Sequence, residues 1–146
     1  MSLNPSTGQK SLLALQHFSP GDVISPFYAG TTLPEANRYT VQVDFQKHIT
    51  LMPEFLQYIN HSCSPNAFFD TTEMLLISLK EIQPGDEFTF FYPSTEWEMA
   101  EPFNCHCGSP ACLQTINGAS SIPEETLIKY KLTDFIRQMM IRKLIT

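Results

Sequence analysis

Four cysteines are the residues whose types and spacing most restrict the chemistry of this chain. Cys105, Cys107 and Cys112 crowd into "FNCHCGSPACLQ", and Cys63 stands upstream in "YINHSCSPN". A bridge between Cys105 and Cys107 would strain the backbone, given the Cα separation that disulfides prefer. Two disulfides that use Cys63 remain open, since four cysteines allow three pairings. Four thiolates on one Zn²⁺ is the better account: zinc takes a tetrahedral set of four cysteines, and such a closed site is structural. Gly108 allows the tight turn that a zinc knuckle needs, and His61 and His106 are spare donors nearby. A metal held between Cys63 and the later cluster would pin one segment over the other and wall off whatever lies between them.

The rest of the chain must position that centre. Its 146 residues suggest one domain with a real but shallow core. Hydrophobic residues make up 42% and charged ones 16%, a balance of globular rather than disordered chains. The net charge of −6 argues against a nucleic-acid binder driven by phosphate contacts, and it suits a basic partner only weakly. No charged-then-apolar leader and no membrane-length apolar run appears, so the expectation is a cytoplasmic protein, or a nuclear one in a eukaryote, with no membrane partner.

Short strand-like runs fill the first two thirds: "SLLALQHF", "VISPFYAG", "RYTVQVDF", "MLLISLK" and "EFTFFY". Two turns of the form x-Pro-Gly-Asp, at Pro20 and Pro84, share turn chemistry without marking a repeat. The last quarter is helical in pattern. Ser121 with Glu124 offers a capping box, and Thr133 offers a second cap. Phe135, Ile136, Met139, Met140 and Leu144 recur at helical spacing. The expected class is mostly β with C-terminal helices. The expected division is a flexible start over 1–9, a main domain over 10–100, a zinc knuckle over 101–118 and a helical tail over 119–146 packed on the same domain.

"NHSCSPN" (Asn60–Asn66), "GDEFTFFY" (Gly85–Tyr92) and "CHCGSPACL" (Cys105–Leu113) together resemble the SET-domain protein-lysine methyltransferases that carry a post-SET zinc knuckle. "LLALQHFSPGDVI" looks like the family's opening strand and turn, and the short segment from Gly30 to His48 is similar to minimal bacterial or viral forms. The resemblance implies small, mostly antiparallel sheets around a pseudoknot. It implies S-adenosylmethionine as methyl donor in a pocket on one face and a lysine entering by a channel from the other. Structural zinc would sit on Cys63, Cys105, Cys107 and Cys112.

The same resemblance assigns roles. Asn60 and His61 would hold the cofactor, with Phe103 packing on its adenine and Leu12 and Leu13 contributing from the opening strand. Tyr92 would stand at the methyl-transfer point as the catalytic residue. Tyr39 and Phe90 would line the substrate channel, and a phenylalanine at 90 leaves room for a second or third methyl. Several positions depart from the family: Ser11 and Gln114 stand where glycine is usual, Gln57 where arginine is common, and Phe91 where an acidic residue is frequent.

The leading expectation is therefore an enzyme that methylates a lysine side chain of a protein. One alternative is a diverged enzyme on the same fold that acts on a small molecule, by methyl transfer or another reaction in the same pocket. A second is a non-catalytic binding module. Some minimal members of the family pair, so a homodimer stays open.

Overall fold

A computed structural model of the chain describes residues 2–3 and 10–145; residues 1, 4–9 and 146 lie outside it, Gly8 among them. The strands, in chain order, are β1 (Ser2–Leu3), β2 (Lys10–Ser11), β3 (Val23–Pro26), β4 (Tyr28–Leu33), β5 (Thr40–Asp44), β6 (Lys47–Met52), β7 (Asn60–His61), β8 (Ala67–Asp70), β9 (Leu75–Ser78), β10 (Thr89–Phe90), β11 (Phe103–Asn104) and β12 (Thr115–Ile116). Two helices follow, α1 (Glu124–Leu127) and α2 (Asp134–Ile145).

The strands form four small sheets. Strands β4, β6 and β5 make an antiparallel sheet in that order, and β3-β9-β8-β10-β7 make the largest one. The pairs β1–β2 and β11–β12 complete the set. Part of the stretch expected to be flexible thus pairs with β2, Ser2 opposite Ser11.

Local chemistry explains the corners. In both Pro-Gly-Asp turns the aspartate closes the loop on itself: Asp22 Oδ2 accepts from Ser19 N and Asp86 Oδ2 from Gln83 N, each at 2.8 Å. Gly21 and Gly85 supply the positive φ, 90° and 93°, that the third turn position requires. Between β8 and β9, Asp70 Oδ1 accepts from Thr72 N at 3.0 Å and Glu73 N at 3.1 Å, an Asx turn that reverses the chain.

Two strand expectations shrink. Past Ser11 of β2, "SLLALQHF" makes only isolated bridges, Leu13 with Glu87 and Phe18 with Ile82. In "EFTFFY" only Thr89 and Phe90 are strand. The run ends because Tyr92 N donates to a side chain, His61 Nδ1, and Pro93 has no N–H to extend a ladder.

The main core joins the two larger sheets through Phe69, Leu76, Ile82, Val41, Ile49 and Leu56, all at most 2% exposed. A second core gathers the tail on Phe91, with Leu127, Leu132, Phe135 and Ile136. Thr133 caps α2 as expected, its Oγ1 accepting from Ile136 N at 3.3 Å. Ser121 does not cap α1. Pro123 holds that position, and the residue before a proline is driven to extended backbone, which shifts the helix start past the serine. Leu144 is 68% exposed, so the apolar stripe of α2 ends at Met140. Among the described residues no helix is long and apolar enough to cross a membrane.

The tail is seated at Gly118, whose φ is 103°. A Cβ there would lie 2.7 Å from Trp97 O and 2.8 Å from Glu98 Cα, both rigid backbone atoms. Gly118→Ala is expected to lower stability by about 2–3 kcal/mol through that overlap, read as a fall in denaturation midpoint at unchanged denaturant slope.

Candidate active site and cysteine cluster

Strand β10 lies between β7 and β8 and runs parallel to both, with Thr89 opposite Asn60 and Phe90 opposite His61 and Ala67. Asn66 brackets it from the side: Nδ2 donates to Glu87 O at 2.9 Å and Oδ1 accepts from Thr89 N at 2.8 Å. The segment 60–67 therefore grips the strand that delivers Tyr92.

That grip brings three expected site residues together. Tyr92 N donates to His61 Nδ1 at 3.1 Å, and Tyr92 Oη donates to Ile59 O at 3.1 Å. Because Nδ1 accepts, the proton of the neutral ring sits on Nε2, which faces Cys63 Sγ at 3.4 Å. Burial pushes His61 down to about 4, so the ring is neutral. Phe91, Tyr92 and Phe103 enclose it, ring centroids 5.6, 5.2 and 5.6 Å away. Burial also pushes the Tyr92 phenol up to about 12; Arg38 opposes the rise, and Glu87 and Glu96 add to it. Asn60 Nδ2 donates to Glu87 Oε2 at 2.9 Å.

These residues open on one cleft of about 930 Å³, lined by Asn60, His61 and Phe103 and by Tyr39, Phe90 and Tyr92. Phe90 packs edge-on against Phe69 at 4.8 Å and beside Tyr92 at 4.6 Å. Tyr39 stands at a more exposed part of the wall, edge-on to Tyr58 at 6.1 Å, with the Arg38 guanidinium 5.3 Å from its ring centre. Leu12 and Leu13 are not brought to the cleft lining: Leu12 is buried in the main core, and Leu13 bridges Glu87 through its backbone.

The four cysteine Sγ atoms all lie within 4.8 Å of one another. A tetrahedral zinc–thiolate centre has sulfur–sulfur separations of about 3.8 Å, so a small inward adjustment suffices for a metal. Leu113 N donates to Cys63 Sγ at 3.3 Å, a bond that suits a thiolate. The tail reaches the same place, because Tyr130 Oη donates to Cys63 O at 2.7 Å.

A family model described as SET domain matches residues 9–93. The chain belongs to the SET-domain family. It is similar to "Methyltransferase flvH" of Aspergillus flavus, 38% identical over 139 residues, which cover 94% of this chain and 76% of that one. It is also similar to "Histone-lysine N-methyltransferase, H3 lysine-36 specific" of Debaryomyces hansenii, 31% identical over 85 residues, 54% of this chain and 12% of that one. Among solved structures, KRYPTONITE in complex with mCHG DNA and SAH matches with a TM-score of 0.57 at 22% identity, over 72% of this chain and 26% of that one. That likeness is one of fold. The chain is a methyltransferase of the SET type, a class that depends on S-adenosylmethionine.

Two departures of this SET domain from its family now have a structural setting. Phe91, where an acidic residue is frequent, is 1% exposed and stacks on Tyr130 with ring centroids 3.7 Å apart. A carboxylate there would face the apolar tail without a partner. Gln114, where glycine is usual, has a φ of 69°, the left-handed region that glycine enters most easily.

Sequence reasoning missed Glu96. It is 7% exposed and lines the cleft. Its Oε2 accepts from Thr95 Oγ1 at 2.6 Å and from Gln42 N at 3.1 Å. The available signal was its isolation, as the one charged residue between Phe88 and Trp97. Burial pushes the carboxyl from 4.5 up to about 7, against the pull of the Thr95 and Gln42 bonds. The folded chain therefore holds a proton that the unfolded chain has released, and stability falls as pH rises from 4.5 towards 7. Denaturant titrations across this window are expected to show that decline in the wild type and a flatter profile in Glu96→Gln.

Proposed function

We propose that this SET domain transfers a methyl group from S-adenosylmethionine to the side-chain amine of a lysine on a protein. The observation that carries the reading is the seating of β10 between β7 and β8, which sets Asn60, His61 and Tyr92 against one cleft. In this reading Asn60 binds the amino-acid end of the cofactor, the backbone at His61 meets the adenine, and Phe103 packs on it. The cofactor supplies a methyl group activated on a sulfonium. The residues bind, align and exclude water, and alignment alone is worth on the order of 7–11 kcal/mol.

Tyr92 fits the transfer point. Its hydroxyl proton is committed to Ile59 O, which leaves the oxygen lone pairs as acceptors beside the reacting centre. The lysine must lose a proton from an ordinary pKa of about 10.4, and a desolvated channel lowers that value. Phe90, with no hydroxyl to hold a water, favours addition of more than one methyl. Cys63, Cys105, Cys107 and Cys112 would hold one structural zinc and keep the 103–116 segment closed over the cleft.

A small-molecule amine is the second reading of the acceptor. The short stretch between Gly30 and His48 offers little surface to an extended peptide.

Labelled S-adenosylmethionine incubated with an extract split into macromolecular and small-molecule fractions tests the choice. Label in protein is the expected result, with a loss of about a hundredfold in Tyr92→Phe from the disturbed alignment. Label confined to small molecules would select the second reading, and no label in either fraction would sink both.

Metal content is tested separately. The purified chain is expected to hold one zinc, and a chelator is expected to lower the melting temperature and release the 103–116 segment to protease, because a closed site contributes folding energy. An equally stable, metal-free chain would remove the zinc assignment.

A further inference from the structure

The geometry points to Glu96 as the residue that selects a cationic amine as acceptor and takes its proton. This rests on the methyltransferase reading and names a residue to which that reading gives no role.

Glu96 is an unusual group to find in the wall of this cleft. It is almost wholly buried, yet no lysine or arginine pairs with it among the described residues. Its two bonds, from Thr95 and from Gln42 of β5, both fall on Oε2. Oε1 receives no donor from the described residues, and it is not among their sealed, unpartnered polar atoms. One oxygen is thus anchored and the other is left to the cleft. Burial without a cation keeps this carboxyl largely neutral, and a cation that arrives with the ligand would favour its ionised form.

The neighbourhood agrees. Glu96 N donates to Tyr92 O at 3.1 Å, which ties the residue to the backbone of the proposed transfer point. Phe90, Val41 and Leu56 line the same cleft and suit a methylene stem. The other titratable or charged groups that share the cleft are Arg38, Tyr39, Tyr58, His61, Glu87, Glu101 and His106, with Cys105 and Cys107. Glu87 is held at Oε2 by Asn60 and is only half-buried, and Glu101 is exposed, so Glu96 is the buried carboxyl of the cleft. Its midpoint near 7 also suits a group that accepts a proton in one step and releases it in the next.

The step balances. The bound ammonium gives one proton to Glu96, and the freed nitrogen lone pair forms the new N–C bond. The C–S bond of the sulfonium breaks, and its electron pair stays on sulfur. S-adenosylhomocysteine and the methylated ammonium leave, and Glu96 returns its proton to water in the cleft.

The test uses the full zinc-loaded chain with S-adenosylhomocysteine, and n-butylamine as probe beside the uncharged 1-butanol. Affinities are read by NMR titration above and below the midpoint of Glu96. Wild type is expected to bind butylammonium roughly tenfold tighter above that midpoint than below it. In Glu96→Gln the preference should vanish, while 1-butanol shows no pH dependence in either protein. The same preference retained in Glu96→Gln would overturn the proposal and assign the effect to Glu87, Glu101 or His106.

If the variant does not fold, the isotope-labelled carboxyl of Glu96 in the wild type gives the same answer. Saturating butylammonium should lower its titration midpoint, and an unmoved midpoint overturns the proposal. Binding of S-adenosylhomocysteine is scored in the same samples. Its failure, with Glu96-dependent amine binding intact, would sink the methyltransferase reading and leave only the selection of a cationic amine by Glu96.

Discussion

The site depends on two residues of strand slotted between two others. Thr89 and Phe90 run parallel to β7 on one side and β8 on the other, and Asn66 holds them there with a side chain that both donates and accepts. Parallel pairing over so short a length is weak in itself. It is held because Phe90 packs edge-on against Phe69 in the main core, and because His61 accepts from the Tyr92 backbone just beyond the strand. Remove the slot and Asn60, His61 and Tyr92 lose their common wall.

Three further elements close around that slot, and each is tied to it by a different interaction. The cysteine cluster is tied through Cys63, two residues past His61, with Leu113 N on its sulfur. The tail is tied through Phe91, whose ring lies flat on Tyr130. Strand β5 is tied through Gln42, whose N–H holds Glu96 and whose side-chain oxygen accepts from Trp97 N at 3.1 Å. The apolar choice at Phe91 is thus coupled to the tail: a family position usually open to an acidic residue has become an interior surface because something packs on it.

Much of this was written in short-range patterns. The two Pro-Gly-Asp turns, the Thr133 cap and the run from Cys105 to Cys112 are local signals, and each has the geometry its residues suggest. The misses have physical causes. Ser121 reads as a cap until Pro123 moves the helix start. Leu144 continues a helical stripe past the point where anything packs on it. The burial of Glu96 is set by Gln42, fifty-four positions away, and no window of sequence contains both. Phe91 read as a departure because its partner, Tyr130, belongs to a tail that the family motifs do not cover. The placement of Leu12 within the core, away from the cleft, follows likewise from the path of the chain as a whole rather than from its own neighbours.

The bond from Tyr130 to Cys63 spans 67 positions, that from Leu113 spans 50 and that from His61 to Tyr92 spans 31. Closing loops of that length costs entropy before the contacts repay it, and folds rich in such pairings form slowly. The β5–β6 and β8–β9 hairpins, joined by near neighbours, need no such wait. Contact separation alone favours the hairpins forming before the walls of the cleft close. A nascent chain holds its thiols and its aromatic wall open to solvent until residue 130 is available, which makes this interval the one in which it is most exposed to oxidation and to association with other chains.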